Sequence, residues 1–463
     1  MTDLLVRGGT VVTAESSRFA DVAVSGGRIE AVERDLGGLA ANAREVVDAS
    51  GLLVLPGCVD VHTHTRAASD AEPDRFFRDS VAAAFGGTTT FLAFNNPGTG
   101  SSEAAHRSVI AGVREFRDRT ASDAAVDFAL SPAILGQMDD PVGELPAMVD
   151  VGVPTAKAFM VFDFRLPDRR LFDAMRALGR AGGMLEVHCE DPVLVDAAVA
   201  DAVARGDVGP AWHARTRSTE AEAVATQRAM AFAGQADAPV HVVHLSSAAA
   251  LEEVRRAKAA GVRASAETCP HYLAETAARY DGSDEEAVRY VVSPPLRSAA
   301  DRDALWEGLA DGSLDLVATD HVPDRLAVEK RLPAPPFPEI SNGAPGIETL
   351  LAIVWSEGVA TGRLTPERAV DLLATTPASR FGLASKGAIE VGRDADLVLF
   401  DPGARRVIRA ADLHHTSDYT PYEGREVTGA VRSIFVRGRA VVRDGEFVGE
   451  RGFGRFVERS SEA

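Results

Sequence analysis

Two histidines stand two residues apart in the run "VDVHTH", residues 59–64. A strand alternates its side chains, so His62 and His64 share a face. Val59, Val61 and Thr63 suit a pleated, half-buried strand. Two imidazoles on one face at a strand end can ligate one metal ion, or they can be ordinary core or surface histidines. Other residues with metal-binding chemistry follow at similar places. His188 closes "MLEVH", His244 falls in "VHVVHL", and Asp320 with His321 closes "LDLVATDH". A single inward histidine is usually a satisfied core residue. Joint placement is the stronger signal, because four of the eleven histidines, His62, His64, His188 and His244, and Asp320 all fall at the ends of short apolar runs.

Lys157 lies inside the apolar run "TAKAFMVF". A charged lysine is expensive to bury. It can snorkel to a rim or pair with an acid. Alternatively, a neutral amine there can take up carbon dioxide as a carbamate. That turns a cation into an anion able to bridge two divalent ions and offset their repulsion.

These residues need elements to hold them. Eight β-like runs recur at 59–64, 88–94, 126–134, 155–162, 184–190, 240–245, 263–269 and 314–321. Between them lie segments of helical spacing. In "SAAALEEVRRAKAAG" (247–261), Leu251, Val254 and Ala257 form one stripe and Gly261 ends it. Strand then helix, eight times, predicts a (β/α)8 TIM barrel, with functional groups where strands end. An open doubly wound sheet is the alternative, but no glycine-rich phosphate loop follows the first strand. Both chain ends read as all-β: 3–13, 21–33 and 45–55, then 394–401 and 429–448 with a "DGE" hairpin turn at 444–446. The expected organisation is a small β-sandwich formed by residues 1–56 and 386–450, a (β/α)8 barrel at 57–385, and a tail at 451–463. That tail reads as exposed or as an arm toward a neighbouring subunit. The Pro- and Gly-rich stretch 322–345 predicts a long functional loop. Its basic run "RLAVEKR" (325–331) reads as a solvated helix or a lid. "HHTSDYTPYEG" (414–424) reads as a structural loop.

Composition narrows the partners. The 463 residues are 46% hydrophobic and 25% charged, as in a globular protein. The net charge of -19 disfavours nucleic acid and anionic lipid. No apolar run approaches the roughly 20 residues that span a bilayer, so no membrane association is expected. Three widely spaced cysteines and the lack of a visible secretory signal in "MTDLLVRGGT" set an expectation of the cytoplasm.

The sequence resembles the amidohydrolase superfamily, and within it the cyclic-amide hydrolases: hydantoinases, dihydropyrimidinases, allantoinases and dihydroorotases. The motifs are "PGCVDVHTH", "GGTTT", "HVVHLSS", "AETCPHYL", "SPPLR", "ATDH" and "NGAPGIET", within a likeness running from "LLVRGGTVVT" to "VRDGEFVGE". The resemblance implies two divalent metal ions, most commonly zinc, and a small-molecule cyclic amide as substrate. It implies that His62, His64 and Asp320 bind one ion and His188 and His244 the other. Lys157, carboxylated on its side-chain nitrogen, would bridge them. Asp320 would also be the general base, serving a hydroxide that attacks the ring carbonyl. A homotetramer is implied as well.

The same resemblance places Ser293 of "SPPLR" and Asn342 of "ISNGAPGIE" against the ring. Phe162 departs from the hydantoinase pattern, which carries a tyrosine five positions after the bridging lysine. One hydroxyl donor to the developing oxyanion is thereby lost. Arg66 in "HTHTR" and Asn96 in "AFNNPG" instead resemble dihydroorotase positions that take a substrate carboxylate, although an arginine there can equally be a rim ion pair. His271 in "CPHYL" resembles allantoinases and dihydroorotases. An allantoinase- or dihydroorotase-like enzyme is therefore an alternative. A catalytically silent scaffold is a second alternative, weighed against six intact ligand positions. His106, His213, His414 and His415 match no role. Neither does His241, three residues before His244, which is expected to face the opposite side of its strand.

Overall fold

The computed structural model describes residues 2–95 and 101–460. Asn96 lies outside the described residues.

Both chain ends build one sheet. Its strands are β1 (Leu4–Val12), β2 (Ser17–Ser25), β3 (Arg28–Glu33), β4 (Glu45–Asp48) and β5 (Leu53–Pro56). Eight barrel strands follow: β6 (Cys58–Thr63), β7 (Thr88–Asn95), β8 (Asp127–Pro132), β9 (Thr155–Phe159), β10 (Met184–His188), β11 (Val240–Val242), β12 (Ala264–Thr268) and β13 (Leu316–Val317). The chain then returns to the first sheet as β14 (Leu397–Val407), β15 (Glu426–Val436), β16 (Arg439–Arg443) and β17 (Glu446–Phe447). The order in that sheet is β17-β16-β15-β14-β5-β1-β2-β3, with β4 paired to β1. β14 pairs antiparallel with β5, so the two chain ends share one ladder. Val22, Val24, Leu397 and Phe435 bury a common apolar face. Asp444 (φ 49°) and Gly445 (φ 80°) turn the β16–β17 hairpin where the sequence signal fell.

The barrel strands are all parallel: β6-β7-β8 form one run and β9 to β13 another. Single parallel bridges, Ala133 with Lys157 and Thr63 with His321, close the two seams. Helices cover the outside. The segment predicted helical at 247–261 is a helix over Ala248–Ala259; Ser247 caps it by accepting from the Ala250 N–H, and Leu251, Val254 and Ala257 are buried. Burying each such Leu or Val side chain contributes about 1.5–3 kcal/mol.

Three strands stop earlier than their apolar runs suggest. β9 ends at Phe159, β11 at Val242 and β13 at Val317. The residues just beyond include Phe162 (φ 73°), His244 (φ 40°) and Asp320 (φ 48°). These are left-handed conformations that cost a side-chain-bearing residue about 1–3 kcal/mol and cluster at functional sites. The chain leaves the ladder there and turns these side chains over the barrel mouth.

Two further expectations are corrected. Residues 452–460 are not a free tail, because their backbone is hydrogen-bonded to the same chain's barrel. Phe128 N donates to Arg455 O, Val457 N to Phe128 O, and Arg459 N to Gly152 O. Buried Arg459 donates to Thr155 Oγ1 at 2.9 Å. The run 325–331 is not a solvated helix. Lys330 is fully buried and donates to Val291 O at 2.9 Å and Ser341 O at 2.7 Å. It anchors the long loop beside the mouth, and residues 414–424 brace that loop from behind. There Asp418 accepts from Leu326 N, and the Tyr419 hydroxyl donates to Gly343 O.

Candidate active site

A cavity of about 820 Å³ opens at the C-terminal end of the barrel. His64, Lys157, His188, His244 and Asp320 line it, with Ser293, Asn342, Phe162 and Arg66 nearer the rim. His62 forms the floor and is fully buried. Thus β6, β9 and β10 and the turns after β11 and β13 bring together the six positions singled out in the sequence.

The tightest cluster is His62, His64 and Asp320, whose ligand atoms all lie within 4.8 Å of one another. Asp320 Oδ1 is 3.0 Å from His62 Nε2 and 3.3 Å from His64 Nε2. His188 and His244 pack ring against ring, with centroids 4.5 Å apart, and His244 lies 5.3 Å from His62. Burial pushes the pKa of His64, His188 and His244 below the usual value, His244 well below, which favours the neutral imidazole that binds metals. Burial alone would raise Asp320, but the neighbouring charge of His62 outweighs it and holds the carboxyl well below 3.8.

Lys157 does not follow the rim or ion-pair reading. It is fully buried, and its Nζ has no hydrogen-bond partner among the described residues, so it neither snorkels nor pairs. Nζ sits 4.6 Å over the Phe94 ring. Burial lowers its pKa to about 8, against the pull of Asp320, Glu267 and Glu186. His244 Nδ1 also lacks a hydrogen-bond partner, and His62 Nε2 meets only Asp320 Oδ1. Each buried polar atom left unmade costs about 1–3 kcal/mol. Two such atoms beside one histidine-aspartate cluster fit a site built for cations.

Behind these residues stand acids that sequence spacing did not single out. Glu267 in β12 accepts from His62 Nδ1 and from His241 Nε2. Glu190 accepts from His188 Nε2 at 2.7 Å and from Arg217 at 2.6 Å. Asp60 accepts from Thr319 N and Oγ1, tying β6 to the chain beyond β13. The available signal was the residue type itself, an acid inside an apolar strand for Asp60 and Glu267 and just past one for Glu190. His241 is a correction: it shares Glu267 with His62 and so points into the barrel. β11 ends at Val242, and the left-handed turn at His244 breaks the alternation that would have set the two histidines on opposite faces.

Ser293 Oγ donates to Asn342 Oδ1 at 3.1 Å and contacts His213 Nε2 at 3.1 Å. His213, which had matched no role, thus supports the Ser293 side of the rim. Next to Asn342, Gly343 has φ 131°, and a Cβ there would stand 2.3 Å from Val322. Only glycine lets the loop lie this close. Phe162 stacks in an aromatic group with Phe159 and Phe164, and the Arg217 guanidinium lies 5.1 Å over its ring. Arg66 donates to Asp324 at 2.6 Å and to Glu329 at 3.3 Å, so the rim ion-pair reading is the one the geometry favours. His271 is buried against Tyr272 and does not line the cavity.

Comparisons with known proteins agree with this geometry. The model of the Amidohydrolase family matches residues 174–441. The D-hydantoinase of Ralstonia pickettii is 37% identical over 462 residues, covering 99% of both chains. That of Geobacillus stearothermophilus is 36% identical over 464 residues, covering 98% of this chain and 96% of its own. The crystal structure of a dihydropyrimidinase from Brevibacillus agri matches with a TM-score of 0.93 at 37% identity over 100% of each chain. The chain belongs to the amidohydrolase family, in its hydantoinase and dihydropyrimidinase branch.

Proposed function

We propose that this chain is a metal-dependent hydrolase that opens the amide bond of a neutral ring of the hydantoin or dihydropyrimidine type. The observation that supports it most is the cluster at the barrel mouth: His62, His64 and Asp320 within 4.8 Å, beside paired His188 and His244 and a buried, unpartnered Lys157. In this reading His62, His64 and Asp320 would hold one divalent cation and His188 and His244 a second. We assign zinc to both. Lys157, as its N6-carboxylate, would be the anionic ligand shared by both. When bound, the two cations supply Lewis acidity that lowers the pKa of water and polarises a carbonyl.

The chain's own groups do the rest. Asp320 takes the proton from the attacking water and passes it to the departing ring nitrogen. Ser293 and Asn342, fixed by their mutual hydrogen bond and by the Lys330 clamp on Ser341 O, orient the ring amide. Phe162 offers no hydroxyl, so the oxyanion lacks that donor. The alternative with an acidic ring drew on Arg66 as carboxylate anchor, and Arg66 is already held by two carboxylates. We further propose a homotetramer in the cytoplasm. Among the described residues no helix is long and apolar enough to cross a membrane.

The test is turnover by purified, zinc-loaded protein of a 5-substituted hydantoin, dihydrouracil, allantoin and dihydroorotate side by side. Preference for the first two is expected. Preference for dihydroorotate, or no turnover of any ring with two cations bound, would contradict the reading.

A further inference from the structure

Glu267 is fully buried near the end of β12. Its Oε1 accepts from His62 Nδ1 and from the backbone N–H of His244 at 3.2 Å, and its Oε2 accepts from His241 Nε2 at 3.1 Å. His62 comes from the first barrel strand and His244 follows the sixth. In the function proposed above they hold different cations. We propose that Glu267 is the positioning residue common to both cation positions, an inference that rests on that reading.

The physical argument has two halves. A neutral imidazole carries one N–H. With a cation bound, fixing that proton at Nδ1 of His62 would leave the lone pair on Nε2, the atom that meets Asp320 at 3.0 Å. At His244 the same carboxylate oxygen holds the backbone N–H of a residue at φ 40°, a conformation that needs support from its surroundings. One carboxylate thus sets the tautomer of one ligand and the backbone of another. His188 is supported separately, by Glu190 and Arg217. Among the described hydrogen bonds, none joins Glu190 to His62, His64 or Asp320.

That separation supplies the test. Glu267→Gln keeps the volume but sets three donors against one acceptor oxygen and an amide NH2. Zinc per chain is measured by elemental analysis, and affinity by competition with a chelator, on full-length wild type, Glu267→Gln and Glu190→Gln. The thermal midpoint of each metal-free form is recorded in parallel. Wild type is expected to bind two cations. Glu267→Gln should weaken both together by about 10–100-fold, with excess zinc restoring occupancy and the metal-free midpoint lowered because a buried donor is left unmatched. Glu190→Gln should weaken only one. A Glu267→Gln protein that keeps both cations at wild-type affinity, or loses just one, overturns the inference and leaves the hydrolase reading standing. A wild type that binds no cation overturns that reading and the inference with it. Should the variant not fold, ¹⁵N NMR of His62 in zinc-loaded wild type decides: a proton on Nδ1 supports the inference, and a proton on Nε2 in its place overturns it.

Discussion

Two buried lysines sit at opposite ends of the barrel and have opposite surroundings. Lys157, at the mouth, has no hydrogen-bond partner, and burial lowers its pKa to about 8. Lys386, at the base, contacts Asp127 at 2.6 Å, Asp396 at 2.9 Å and Asp394 at 3.1 Å. Burial alone would lower its pKa too, but Asp396, Asp127 and Asp394 outweigh that and hold it above 10.5. Asp127 belongs to β8 and Asp396 directly precedes β14, so Lys386 joins barrel to sheet. The base has its charges paired and serves cohesion. The mouth keeps polar atoms unpaired, which destabilises the empty fold and leaves ligands free. Placement alone does not make a buried lysine functional; the lack of a partner does.

Exchanging each lysine for Met separates the two roles, and the largest effect falls on activity. Lys157→Met should abolish ring opening while the metal-free protein unfolds no earlier than wild type, its stability unchanged or raised by about 1 kcal/mol because an unsatisfied buried amine is gone. Ring-opening assays and thermal melts of the same sample check this. Lys386→Met should do the reverse. It strands buried carboxylates and should cost about 3–5 kcal/mol of stability, read as a lower denaturant midpoint, while turnover per zinc-loaded site at low temperature stays near wild type. If both variants lost stability alike, the contrast between the two ends would fail.

The mouth's half of this contrast was legible before the structure, and Lys386 was not. Barrel strands announce themselves because β-branched apolar runs end where polar, metal-binding residue types begin, as in "VDVHTH" and "LDLVATDH". Lys157 was legible because a cation in an apolar run needs explaining. What supports these residues was not legible. Glu267, Glu190 and Asp60 find their partners only when the barrel closes, across separations such as the 205 residues between His62 and Glu267. The direction of His241 was misread because alternation holds only while the strand lasts, and β11 ends at Val242. Lys330 looked like part of a solvated basic run because its partners are backbone carbonyls, which leave no pattern in side-chain types.

Two smaller effects sharpen the picture of the mouth. Phe162→Tyr restores the missing hydroxyl and should raise kcat for a neutral hydantoin by up to about 10²-fold with KM little changed. An unchanged kcat would mean that another group already serves the oxyanion. At the rim, burial would raise the pKa of Glu329, but hydrogen bonds from Arg325 and Arg75 outweigh it and bring it from 4.5 down to about 2. A depressed carboxylate stabilises the fold fully above pH 4.5 and loses that contribution as pH falls toward 2. Glu329→Gln should therefore flatten the acid limb of a stability-against-pH curve between those values, and leave the curve above pH 5 with the same slope as wild type.

The most direct measurement looks at the Lys157 nitrogen itself. Zinc-loaded protein equilibrated with ¹³C-labelled bicarbonate should show one carbamate carbon resonance per chain by NMR, absent from Lys157→Met. Full zinc occupancy with no such resonance, and a free amine at position 157, would contradict the account.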